Sequence, residues 1–220
     1  GDATGTLTVN TPMVTSPTFA GEISGDGSLI KTGDGEFILS GTNSYTGSTS
    51  VQNGTLKIEG SLTTSEVTVA ANAVLGGSGT INADVTVQSD GSFTPGSSPG
   101  VISTNYLTLE PGASLDVEIN GDTAGSEYDQ VQVAGEVNLT GAKLNISSTF
   151  TAAAGTEFLL IDNDDVDPVI GEFFERAEGT LFTFNGNQVY ITYQGGDGND
   201  VVLVVNSPPV ADDQAFSVDE

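Results

Sequence analysis

The chain has 220 residues, 30 of them acidic against four basic, for a formal net charge of −26 at pH 7. A field of that sign repels phosphate backbones and anionic lipid, which disfavours nucleic-acid and membrane-surface binding and leaves a solvated acidic surface as the plain reading. With no Cys and no His, disulfides, thiolate metal sites and Ser-His-Asp catalysis are excluded, and no apolar run approaches the roughly 20 residues of a membrane-spanning helix.

Residues 1–20 hold one expected strand, 6–9, before Pro12 and Pro17 interrupt it. They read as a lead-in or incomplete rung whose preceding rung lies outside the segment, and a chain opening on Gly1 reads as a piece of a longer one. From 21 to 60 apolar residues come in pairs two apart, Phe37/Leu39 and Leu56/Ile58, set among Gly, Asn, Asp, Ser and Thr. Such alternation predicts short strands with one buried face. The pairs then recur: Leu39 to Ile58 is 19 residues, Val67/Val69 to Val85/Val87 is 18, and Val85/Val87 to Leu107/Leu109 is 22. A period near 20 predicts a β-solenoid with one coil per repeat, inward ladders of Val, Leu and Ile, and Gly or Asn at the corners. The longer interval is assigned to the loop 94–100, TPGSSPG, bulging from a corner. An antiparallel sandwich competes, because turn signals also recur every 8–12 residues, but the regular long period favours the solenoid.

The spaced residues Ser24, Gly25, Gly27, Leu29, Lys31, Gly33, Gly35, Leu39, Ser40, Gly41, Asn43, Tyr45, Thr46, Gly47, Thr49, Val51, Gly54, Thr55 and Leu56 closely resemble the autotransporter-associated β-strand repeat. Ser48, Glu36 and Phe37 depart from its usual residues without disturbing the alternation. The stretch 75–115, with turns at Pro95-Gly96, Pro99-Gly100 and Pro111-Gly112, resembles the terminal part of such passengers. The resemblance implies a right-handed parallel β-helix outside a bacterial cell, usually within a much longer surface protein.

Further along, strands are expected at 115–119, 130–133, 136–139 and 143–146. Tyr128 and Asp129 invite a catalytic reading, but a lone Tyr-Asp beside a strand more commonly packs its ring and bonds a backbone amide. Nine of the 15 aromatics lie from Phe150 onward. Since a solenoid end exposes its core, the coils of 21–149 are expected to give way to an aromatic-rich C-terminal cap at 150–205. Its strands, 158–161, 182–184, 189–193 and 201–205, are expected to pair partly antiparallel, with Asn185-Gly186 as a hairpin turn. Residues 206–220 read as a linker and resemble the opening of a bacterial cadherin-like or immunoglobulin-like tandem repeat.

A polysaccharide lyase would need cationic groups that four scattered basic residues do not supply. An inverting glycosidase needs only two carboxylates roughly 6.5–9.5 Å apart, and the densest acidic cluster, Asp162, Asp164, Asp165 and Asp167, reads as a solvated turn. The string 195–203, GGDGNDVVL, fits the calcium nonapeptide G-G-x-G-x-D-x-U-x, which would place an ion at Asp197, Asn199 or Asp200. That site needs stacked copies; this chain has one, and the same string closes many of the passengers it resembles as a simple turn. Thr6/Thr8 and Thr49 read as scattered rather than as an ice-binding array, with β-propensity sufficient to explain them. The expectation is therefore a non-catalytic structural segment of a secreted or cell-surface protein, with no catalytic, cofactor-binding or metal residue. It would support adhesion or surface presentation, meet surface glycans or other cell-surface proteins, and continue covalently into further domains. A glycan-binding or glycan-degrading β-helix and a calcium-binding module are the alternatives.

Overall fold

Period-two alternation carries the chain into 22 short strands, with no helix among the described residues. The computed structural model describes residues 5–97, 99–164 and 167–206. Asp165 of the acidic cluster and the tandem-repeat-like tail from 207 lie outside them.

The strands stack in parallel as a β-solenoid, seven rungs deep in its second sheet. One sheet runs from Thr6–Asn10 through Ser28–Thr32, Thr49–Val51, Ser61–Val69, Thr80–Val87, Val101–Thr104 and Gln130–Val133 to Glu157–Asn163. The other runs from Thr18–Phe19 through Glu36–Leu39, Gly54–Ile58, Ala73–Gly77, Ser92–Pro95 and Ser114–Ile119 to Lys143–Ser148. The spacing read from the sequence is the register itself: Leu39 pairs with Ile58, Val67 with Val85, and Val87 with Leu109. Parallel pairing removes the sandwich alternative.

Between the sheets the inward residues form continuous ladders. Phe37, Leu56, Leu75, Phe93, Leu115 and Leu144 stack in one, all buried. Each such side chain contributes about 1.5–3 kcal/mol relative to exposure. At one corner every coil turns through a left-handed residue: Gly33, Gly54, Asn72, Asp90, Gly112 and Gly141. From Asn72 onward these corners are themselves tied, each amide donating to the next corner's carbonyl, Asn72 to Asp90, Asp90 to Gly112 and Gly112 to Gly141. Glycine is used there, or Asn and Asp, because other side chains resist positive φ.

Three details differ from the expected strands. Thr18–Phe19 forms a short strand directly after Pro17, pairing with Ile38 and Leu39. The strand expected at 136–139 is observed only over Val137–Asn138, which pairs on one side with Leu107 and Thr108 and on the other with Ile170 through a single parallel bridge. Thr94 and Pro95 belong to a strand, so the bulge begins at Gly96.

After Glu157–Asn163 the pairing switches to antiparallel: Asp200–Val205, then Asn187–Gly195, then Leu181–Phe184 at the edge. Phe184 faces Asn187 across a two-residue turn whose residues, Asn185 and Gly186, have φ of 42° and 81°, the geometry an Asn-Gly hairpin requires. Phe158 packs edge-on against Tyr128 (5.5 Å) and Phe184 (6.2 Å), joining this antiparallel part to the coils.

Candidate functional site

Several residues of the repeat motif turn out to be polar staples inside the stack. Lys31 points inward between Val9 and Val51 and is fully buried. Its ammonium donates to the carbonyls of Thr32, Gly33 and Asn53 at 2.8–3.0 Å, so one lysine ties two successive corners. Burial lowers its pKa, opposed by the charge of Asp34. Asn43 does the same at another corner, accepting from the Ile23 amide and donating to the Gly41 and Ser61 carbonyls. The Tyr45 hydroxyl lies 2.6 Å from that of Thr49, and burial pushes its pKa up to about 12. An inward lysine is invisible to an apolar-periodicity reading, although its place in the spaced motif marks it.

The Tyr128-Asp129 pair is a corner. The Tyr128 ring is buried against Phe158, while Asp129 accepts the Gly100 amide on Oδ1 and the Glu118 amide on Oδ2, each at 2.8 Å. Burial raises the Asp129 pKa to about 6, partly offset by those two amides.

The acidic cluster does not converge. Asp162 lies outward in register with Gln132, Asp164 is exposed, and the Asp167 backbone carbonyl accepts from the side-chain Nδ2 groups of Asn163 and Asn199. In the 195–200 turn, Asp197 is exposed and the buried Asp200 carboxylate accepts the Asn163 amide at 2.8 Å. Burial raises the Asp200 pKa, that amide opposes the shift, and the neighbouring Asp162 and Asp197 reinforce it. Among the described residues no three acidic side chains gather closely enough to hold a metal ion.

Thr6, Thr8 and Thr49 fall in three different ladders, but Thr8 heads a longer column. Thr8, Ile30, Ser50, Thr68, Thr86, Thr108 and Asn138 fall in one outward column, rung on rung, whereas Thr49 faces inward. Unequal coil lengths hide this column in the sequence. Ile30 interrupts it and the in-register pair Glu66 and Asp84 flanks it, so it forms a mixed face rather than a uniform hydroxyl array.

A concavity of about 390 Å³ lies on the outer face of the second sheet beside the loop that begins at Gly96, with Lys57, Thr94, Asp116, Glu118 and Asn145 among its lining.

Comparison with known proteins gives three similarities. Residues 29–58 match the passenger-associated-transport-repeat. The chain is 38% identical over 174 residues to the adhesin BmaC autotransporter of Brucella suis biovar 1 (strain 1330), covering 76% of the chain and 5% of that protein. It is 35% identical over 130 residues to an extracellular serine protease of Serratia marcescens, covering 59% of the chain and 12% of the protease. The chain thus spans only a small part of each relative.

Proposed function

We propose that this passenger-like repeat protein of the cell surface or extracellular space is a non-catalytic scaffold, which extends, spaces or presents adhesive parts of a larger chain. The observation that carries the reading is the set of inward ladders and corner staples, in which the buried polar groups of the repeat motif are committed to joining coils. Each coil contacts mainly its neighbours, so length is added without a new core. Residues 150–205 act as the cap that shields the last coil, and the segment continues into further domains. Likeness to an adhesin supports a role in attachment, with surface glycans or other surface proteins as partners. Likeness to a serine protease does not carry a protease reading, since this chain has no His for the triad.

The competing reading is a glycan-degrading β-helix. Incubation of the purified chain with neutral and acidic polysaccharides should release no reducing ends and no unsaturated products; release that scales with protein would overturn the scaffold reading.

A further inference from the structure

The second sheet splits at one place. Ser92 and Phe93 pair with Ser114 and Leu115, but beyond them Asp116 and Val117 pair only on their other side, with Asn145 and Ile146, while on the split edge Glu118 and Ile119 turn to residues 127–129, the Asp129 amide donating to the Glu118 carbonyl and Ile119 bridging Tyr128. The cause is local: Pro95 has no amide hydrogen to give, and Gly96, at φ +82°, turns the chain away. The Asp129 carboxylate takes over the vacated role, holding the Glu118 amide on one side and the Gly100 amide on the other. The parted strands leave the cleft of about 390 Å³, within the roughly 300–1,000 Å³ of small-molecule sites.

Its polar groups are held in place. Asp116 accepts from the Asn145 side chain at 2.6 Å and from the Ser114 hydroxyl at 3.2 Å, Glu118 accepts from Asn120 at 2.6 Å, and Lys57 pairs with Glu36 at 3.0 Å. Ser97 reaches across to the Glu59 carboxylate, which anchors the loop beside the cleft. A carboxylate has about four acceptor positions, so Asp116 retains acceptors beyond these bonds. The cleft thus sets fixed acceptors (Asp116, Glu118) beside donors (Lys57, Asn145), and the Thr94 hydroxyl, which donates to the Leu75 carbonyl, offers its lone pairs. Vicinal hydroxyls, each both donor and acceptor, match that arrangement. Uronates, sulfates and phosphates are repelled by a chain of net charge −26, and Lys57 in the same cleft opposes a divalent cation.

We propose that this cleft binds a neutral pyranose unit of a glycan. The scaffold reading does not depend on it and fails by a different assay, product release.

The test is a residue-resolved NMR titration of the 220-residue chain with the methyl glycosides of glucose, galactose, mannose and N-acetylglucosamine to tens of millimolar, with calcium chloride and tetralysine as counter-probes. At least one glycoside should shift the amides of residues 94–97, 116–118 and 145–147. Asp116→Asn and Glu118→Gln should each weaken that binding about tenfold, the effect of losing one charged hydrogen bond, with circular dichroism unchanged. No shift with any glycoside, shifts confined to other residues, or a response at these residues to calcium or tetralysine alone would each overturn the proposal. The wild-type shift map decides the question even where a variant folds poorly.

Discussion

In the parallel coils, paired strands lie 18 to 30 residues apart in sequence and meet in register, as Val67 meets Val85 and Leu107 meets Val137. Beyond Glu157–Asn163 the strands pair antiparallel, and one turn is only Asn185 and Gly186. The two regions also satisfy their buried polar groups differently. In the coils, staples such as Lys31 and Asn43 act within one coil and the next. In the antiparallel region single side chains join distant segments. Asn187 accepts from the Ala152 amide and donates to the Phe150 carbonyl, both at 2.8 Å, and the Tyr193 hydroxyl donates to the Arg176 carbonyl while accepting the Phe173 amide. A repeated unit is tolerant because its contacts recur, whereas the closing region depends on contacts made once.

The largest effect should therefore come from the ring that bridges the two regions. Phe158→Ala removes a fully buried side chain that touches Tyr128 and Phe184, and urea unfolding should show a loss of about 3–5 kcal/mol. A loss comparable to a surface change would mean that the two regions are not joined there. Within the coils, Gly54→Val should cost about 2–3 kcal/mol by the same measurement. Its φ is +65° and a Cβ would lie 2.4 Å from the Gly33 carbonyl oxygen, so no rotamer relieves it. Gly186→Val, with φ +81° but nothing within 4 Å of its Cβ, should cost less, which separates backbone strain from coil-to-coil overlap.

A pH series sharpens the comparison further. Asp129 has a folded pKa of about 6, raised from 3.8 chiefly by burial. The folded state therefore holds the extra proton between these values, and this group makes the protein more stable as pH falls from about 6 toward 4, by about 2 kcal/mol. Asp129→Asn should remove that part of the slope, leaving the contribution of Asp200, whose pKa burial also raises, in the antiparallel region. An unchanged slope in Asp129→Asn would refute the assignment. The smallest effect belongs to the ion pair on the coil surface: Lys57→Met, breaking a 3.0 Å contact between side chains about one-quarter exposed, should change stability by less than about 1 kcal/mol.

Much of the coil stack was legible in the sequence because inward apolar residues are both periodic and obligatory. The intervals from Leu39 to Ile58 and from Val85 to Leu107 are pairings in the sheet. The hairpin at Asn185-Gly186 was legible for a similar reason, since few residues accept positive φ at both turn positions. The inward Lys31 was not legible, because a cation is compatible with that position only once three carbonyls converge on it. Nor was the threonine column, whose alignment needs the register of seven unequal rungs. The split beside Pro95 escaped for a third reason: a proline and a glycine announce a turn, but only the Asp129 bonds to Gly100 and Glu118 reveal that two strands part there.

The scaffold account rests on coils stacked in parallel at one-rung spacing, and the absence of native cysteine allows a direct test. Thr68, Thr86 and Thr108 occupy successive rungs of the outward column, so adjacent Cα atoms lie about 4.8 Å apart and alternate ones about twice that. Only the former is within the roughly 4.4–6.8 Å of a disulfide. Mild oxidation of three double-cysteine variants, read by mass spectrometry, should form the bridge in T68C/T86C and in T86C/T108C and not in T68C/T108C. Bridging of the 68/108 pair, or of neither adjacent pair, would contradict the stack.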